Sequence, residues 1–222
     1  PFVDAIDQSP ALAHSREDFL SEAGIDDKPY IALLAGSRKG EISTMMPVFM
    51  EFARKMKQMD QYSHYQFIIA GAPSRSIEDY LPYMEGMQDY VKVVFGKAHG
   101  IVRHANAAAI NSGTASLEAV LIGTPQVVGY ASSPLTFMLA KMIIKVDFIS
   151  LGNLIIGRHA FRELIQYYFT ADNLLEEIRR ILEDKEYRDT MMYDYNEIRQ
   201  KLGGGGASSE VAKAMIESLK TK

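Results

Sequence analysis

The chain has 222 residues, 47% hydrophobic and 23% charged, enough apolar material for one large domain or two small ones. Its 24 Lys and Arg against 28 Asp and Glu give a formal charge of -4, which argues against nucleic acid, whose phosphates reward dense cationic faces. Cysteine is absent, excluding disulfide frameworks and thiolate zinc sites. The five histidines show no ligand spacing either. His99 and His104 are five apart, not the four that stack two rings on one helical face, so neither a metal nor a cofactor is expected. No signal peptide opens the sequence. The most apolar stretch, 135–156, is interrupted by Lys141, Lys145 and Asp147, short of the ~20 apolar residues a membrane span needs. A cytoplasmic protein is the expectation, and an opening at Pro1 without Met reads as a piece of something longer.

Taken in order, residues 1–24 open as structured sequence with a first helix. Tyr30 to Leu34 is a buried strand ending at Gly36-Ser37-Arg38. Helical spacing runs from Glu41 to Met59, with Met45, Phe49, Phe52 and Met56 on one face. Gln66 to Ala70 is the next strand, followed by Gly71-Ala72-Pro73-Ser74, a helix near Ile77 to Met84, and the strand Val91 to Phe95. A short helix near Gly100 to His104 leads to the strand Ala107 to Ile110, which ends in Asn111-Ser112-Gly113-Thr114. A helix from Ala115 to Ile122 stops at Gly123, and Pro125 to Tyr130 is a fifth strand. Beyond Leu151 the pattern turns helical, near Ala171 to Glu183 and Glu186 to Leu202. Four glycines, 203–206, then form a hinge before an amphipathic helix, Ser208 to Leu219, which docks locally or packs on another domain or chain.

Strand–helix alternation predicts an α/β fold, a doubly wound parallel sheet flanked by helices. The expected divisions are 1–24, a Rossmann-like domain over 25–202, and the hinge and last helix over 203–222. In such sheets ligands bind outside the carboxyl ends of the strands. Three small-residue turns fall there: Gly36-Ser37-Arg38, Gly71 to Ser74, and Ser112-Gly113-Thr114. Small residues let a ligand approach, while hydroxyls and free helix N-terminal amides donate to phosphate. Glu118 lies one helical turn past Thr114 and could accept from a ribose diol. Helix capping alone would also explain Ser112 or Thr114, and a lone Arg38 or Glu118 would be an ordinary surface charge. Neither the dinucleotide fingerprint nor a P-loop is present, which disfavours NAD and ATP hydrolysis.

Beyond these turns, Leu33-Leu34-Ala35-Gly36-Ser37-Arg38-Lys39-Gly40-Glu41-Ile42 resembles a segment of the lipid-A-disaccharide synthase family. So do Ser112 to Glu118, Pro125 to Tyr130, Phe137 to Lys141, Ser150 to Ile155 and Glu163 to Gln166, in order and naturally spaced. The resemblance implies the C-terminal, UDP-binding half of a GT-B glycosyltransferase that needs no metal. Its donor would be UDP-diacylglucosamine, its acceptor lipid X, and its products the lipid A disaccharide 1-phosphate and UDP. On that resemblance Gly36 and Ser37 shape the donor site, and Ser112, Gly113 and Thr114 hold the diphosphate. Glu118 takes the ribose, Arg38 stabilises leaving UDP, and Asn153 and Gln166 face the cleft and the donor, Arg38 and Asn153 being the catalytic pair. The general base and the lipid X site belong to the other half, and a fragment alone is expected to be inactive.

Two departures stand out. Ala35 replaces the family's usual proline, and Ala131 stands where arginine is common, which removes a cation near the expected cleft. Left open are peripheral membrane contact by Leu135 to Ile144 against a packed helix, and a homodimer through the C-terminal helix. A 2-epimerase-like UDP-sugar enzyme and a non-catalytic binding module are the competing functions.

Overall fold

Strands whose two faces are both apolar must be covered on both sides, and strands of that kind form the centre of a single six-stranded parallel sheet whose edge strands are only partly buried. Its strands are β1 (Tyr30–Leu34), β2 (Gln66–Gly71), β3 (Val91–Phe95), β4 (Ala107–Asn111), β5 (Gln126–Tyr130) and β6 (Glu163–Ile165), in the order β3-β2-β1-β4-β5-β6. The computed structural model describes residues 2–131 and 148–203. The apolar segment 135–144, the 137–141 motif, most of the glycine hinge and the helix expected over 208–219 lie outside the described residues.

The helices are α1 (Phe2–Asp7), α2 (Arg16–Ala23), α3 (Lys39–Lys57), α4 (Ala98–His104), α5 (Thr114–Ile122), α6 (Leu151–Ile156), α7 (Ala171–Glu183) and α8 (Lys185–Lys201). Side-chain alternation along β1 sorts them into layers. Ile31 and Leu33 join one core with the α3 stripe Met45, Phe49, Phe52 and Met56 and with Ile178 and Ile198 of α7 and α8. Tyr30, Ala32 and Leu34 join the other with Ile6, Phe19 and Ile101 from α1, α2 and α4. Residues 2–24 thus hold two helices rather than one, and their apolar faces complete the second layer.

The chain builds β2 and β3 on one side of β1 and then crosses to β4 on the other. That reversal parts the loops after β1 and β4 and opens a crevice at the carboxyl edge. Two sequence expectations change. Residues 77–84 form two 3-10 turns, Ile77–Asp79 and Leu81–Tyr83, rather than one helix. Pro82 cannot donate the amide bond a continuous helix requires, and the fully buried Tyr80 ring fixes the segment beneath β2. The sixth strand, β6, is three residues long. It was hidden in a region that reads as helical, because three residues are too few to show a period of two.

Candidate functional site: a cleft at the sheet's switch point

Gly36 leaves β1 with φ +91°, a left-handed backbone that favours glycine. A Cβ there would lie 2.4 Å from Glu41 Oε2 and 2.7 Å from Asn111 Nδ2. The turn closes on the Glu41 carboxylate, which accepts from the Ser37 amide at 2.8 Å, the Arg38 amide at 3.1 Å and Arg38 Nη1 at 2.7 Å. Partial burial opposes ionisation of Glu41. The bonds from Arg38 and Ser37 outweigh it and hold the carboxyl below its ordinary value. The Ser37 and Arg38 amides are therefore satisfied internally. The turn also offers a ligand the Arg38 guanidinium, whose side chain is 83% exposed.

The β4–α5 turn is different. Gly113 is the N-cap of α5 and supplies no side-chain cap. Ser116, one turn inward, bonds back to the Gly113 carbonyl at 2.8 Å. The hydroxyls of Ser112 and Thr114 make no hydrogen bond among the described residues, so capping does not account for them. The first amides of a helix have no intrahelical acceptor and carry its positive dipole end. A Cβ built on Gly113 would meet nothing nearer than the Asn111 carbonyl, at 3.9 Å. The protein itself has room for a side chain there, and the glycine keeps the cleft open.

The third turn, after β2, forms the far wall, where the Ala72 amide donates to Tyr80 Oη at 3.0 Å. The three turns enclose one cleft of about 390 Å³ whose lining includes Gly36, Arg38, Asn111, Gly113, Thr114 and Glu118. Small residues line the β1, β2 and β4 ends, and Arg38, Glu41 and Glu118 bring charge to the lining. Glu118 Oε2 stands 3.5 Å from His99 Nε2 of α4.

The structure does not bring Asn153 into this cleft. Asn153 is fully buried. Its Nδ2 donates to the Phe161 carbonyl at 3.0 Å and Glu163 Oε1 at 2.9 Å, and its Oδ1 accepts from the Ala160 amide at 2.8 Å. Glu163 also accepts from the amides of Ile149 and Ser150 at 2.9 and 3.0 Å and from the Ser150 hydroxyl. The Ser150–Ile155 and Glu163–Gln166 motifs are thus two sides of one polar anchor that ties α6 to β6. With its amide committed on both ends, Asn153 lies outside the cleft lining and ties α6 to β6. Gln166 follows β6 directly, at the same carboxyl edge but outside the cleft lining. It is the one non-glycine residue with positive φ among those described, at 55°. Glu41 and Asn111 also line the cleft, and His99 reaches Glu118 from outside that lining; none of the three stood out in the sequence. A Glu three places after a helix N-cap is a legible capping signal for Glu41, whereas His99 meets Glu118 only through the packing of two helices.

A parallel sheet in this order, with small-residue turns and a cationic side chain at its switch point, defines a doubly wound α/β domain whose cleft lies where ligands bind in such sheets. Solved structures resemble it in fold. A UDP co-structure of S. aureus MnaA has TM-score 0.66 and 14% identity, covering 99% of this chain and 53% of that one. The E. coli ADP-heptose lps heptosyltransferase II has TM-score 0.57 and 16% identity, covering 80% and 53%. Sequence narrows the class. A family profile described as Lipid-A-disaccharide synthetase matches residues 1–216. Lipid-A-disaccharide synthases of Trichlorobacter lovleyi and Geobacter metallireducens are 34% and 35% identical over 220 and 223 residues, 99% and 100% of this chain and 56% of each relative. The chain belongs to the lipid-A-disaccharide synthase family, glycosyltransferases of lipid A biosynthesis, and spans about half the length of the curated relatives it matches. Among the described residues no helix is long and apolar enough to cross a membrane.

Proposed function

We propose that this chain binds the UDP moiety of a UDP-diacylglucosamine donor and is the donor half of a lipid-A-disaccharide synthase. The observation that carries the reading is the meeting of Arg38, Thr114 and Glu118 in one cleft at the switch point. The diphosphate lies at the N-terminus of α5, where amides and the Ser112 and Thr114 hydroxyls donate to it. Glu118 accepts from the ribose hydroxyls. Arg38 swings from Glu41 to the phosphate oxygens as charge builds on them.

In the transfer, the acceptor hydroxyl oxygen bonds to the anomeric carbon of the donor sugar. The bond from that carbon to the diphosphate oxygen breaks, and UDP departs with the electron pair. Fixed donors and a cation at the departing oxygens stabilise the transition state more than the ground state. The proton of the acceptor hydroxyl goes to a general base assigned to the part of the longer relatives that this chain does not span, with the lipid X site. Peripheral membrane contact through 135–144 and pairing through 208–219 belong to the same proposal and rest on the apolar spacing of those segments.

The reading is tested by thermal unfolding of the chain with UDP. A hundredfold excess over Kd should stabilise it by ~2.7 kcal/mol, while incubation with both substrates should yield no disaccharide. A folded sample that UDP leaves unshifted, or one that makes disaccharide unaided, contradicts this division of labour.

A further inference from the structure

A second polar path enters the cleft from the N-terminal segment. Ser9 precedes the 3-10 turn Pro10–Leu12, and its side chain makes no capping bond there. Its hydroxyl lies instead 2.9 Å from His99 Nδ1, and the other ring nitrogen, Nε2, faces Glu118 Oε2 at 3.5 Å. Neighbouring charges are engaged elsewhere: Lys97 donates to Glu22 at 2.8 Å, and Arg38 pairs with Glu41. Among the described residues, His99 is the ion-pair partner of Glu118.

The chemistry of the path is directional. A serine hydroxyl donating to Nδ1 leaves the ring proton on Nε2, the nitrogen that faces the carboxylate. The neutral ring therefore presents an N–H to Glu118, and the protonated ring presents an N–H with charge. At 3.5 Å the ring is within ion-pair reach of one carboxylate oxygen, and a small rotation of Glu118 onto it would leave the other oxygen for a ligand and remove freedom from a side chain that otherwise samples several rotamers.

We propose that His99 is a positioning residue for Glu118: held by Ser9, it orients the carboxylate that reads the nucleotide's ribose hydroxyls. The proposal rests on the ribose role given to Glu118 above. It couples residues 2–24 to the cleft, because Ser9 sits between α1 and α2.

The test compares binding of UDP and 2′-deoxy-UDP to the chain by titration calorimetry. The wild type should prefer UDP, and Glu118→Gln should erase most of that preference. His99→Phe, which keeps a ring but no donor, should bring UDP about tenfold closer to 2′-deoxy-UDP, the value of one charged hydrogen bond, with 2′-deoxy-UDP, which keeps the 3′-hydroxyl, weakened less. His99→Gln, whose amide donates from a similar place, should restore most of the preference, and Ser9→Ala should lose part of it. An unchanged Tm without nucleotide serves as the folding control. If Glu118→Gln erases the preference while His99→Phe and Ser9→Ala both keep it, the positioning role is wrong and the ribose role stands. If the wild type has no preference, or Glu118→Gln preserves it, the ribose role fails and this proposal with it.

Discussion

Replacing Glu41 by alanine removes three bonds at once: two from the amides of Ser37 and Arg38, and one from the Arg38 guanidinium. The amides lie near solvent, so water recovers part of the loss. A net value of about 0.5–1.5 kcal/mol per amide bond, less a few tenths regained from alanine's helix propensity, gives a destabilisation of about 1–2 kcal/mol. For a chain of this size that is a fall of about 2–8 °C in Tm. The deficit should depend on pH with a definite sign. The folded-state pKa of Glu41 is depressed, so its contribution is complete above the unfolded pKa and fades as pH falls through the folded one. Thermal unfolding of wild type and Glu41→Ala at neutral pH, and again below the ordinary carboxylate range, reads both effects. Equal stability at neutral pH, or a gap that widens in acid, would refute the reasoning.

Other substitutions separate structural from ligand-binding roles. Gly113→Ala should leave Tm unchanged and weaken UDP binding about tenfold, since its Cβ meets open cleft rather than protein. Gly36→Ala should cost about 1–3 kcal/mol, because it combines a positive φ with a Cβ placed on Glu41 and Asn111. Asn153→Ala should lower stability by about 2–4 kcal/mol, leaving the Ala160 amide and Glu163 short of partners; the folded fraction should bind UDP as the wild type does. Arg38→Ala should do the reverse, with Tm nearly unchanged and UDP affinity down at least tenfold by calorimetry, because its side chain is exposed and lines the cleft.

Much of the fold was legible because period and punctuation agree. The α3 stripe of Met45, Phe49, Phe52 and Met56 and the continuous apolar runs at 30–34 and 66–70 each specify one element in one layer. The turns after β1 and β4 were legible for the same reason, since glycine, serine and threonine mark strand-to-helix corners. What the pattern could not show is pairing across space. Asn153 sits in a motif next to exposed Leu151 and Leu154, yet its amide is claimed by the chain at 160–163. Only the packing of α6 on β6 decides whether such a polar residue serves a ligand or an anchor. The Ser9–His99–Glu118 path is similarly invisible in one dimension, since its members come from three elements and each alone reads as an ordinary surface residue.

A crystal structure of the chain grown with UDP tests the central claim most directly. The diphosphate should lie between the first turn of α5 and the Arg38 guanidinium, with the ribose hydroxyls within hydrogen-bond reach of Glu118. A nucleotide bound at any other part of the surface, with Arg38 still turned to Glu41, would contradict the account.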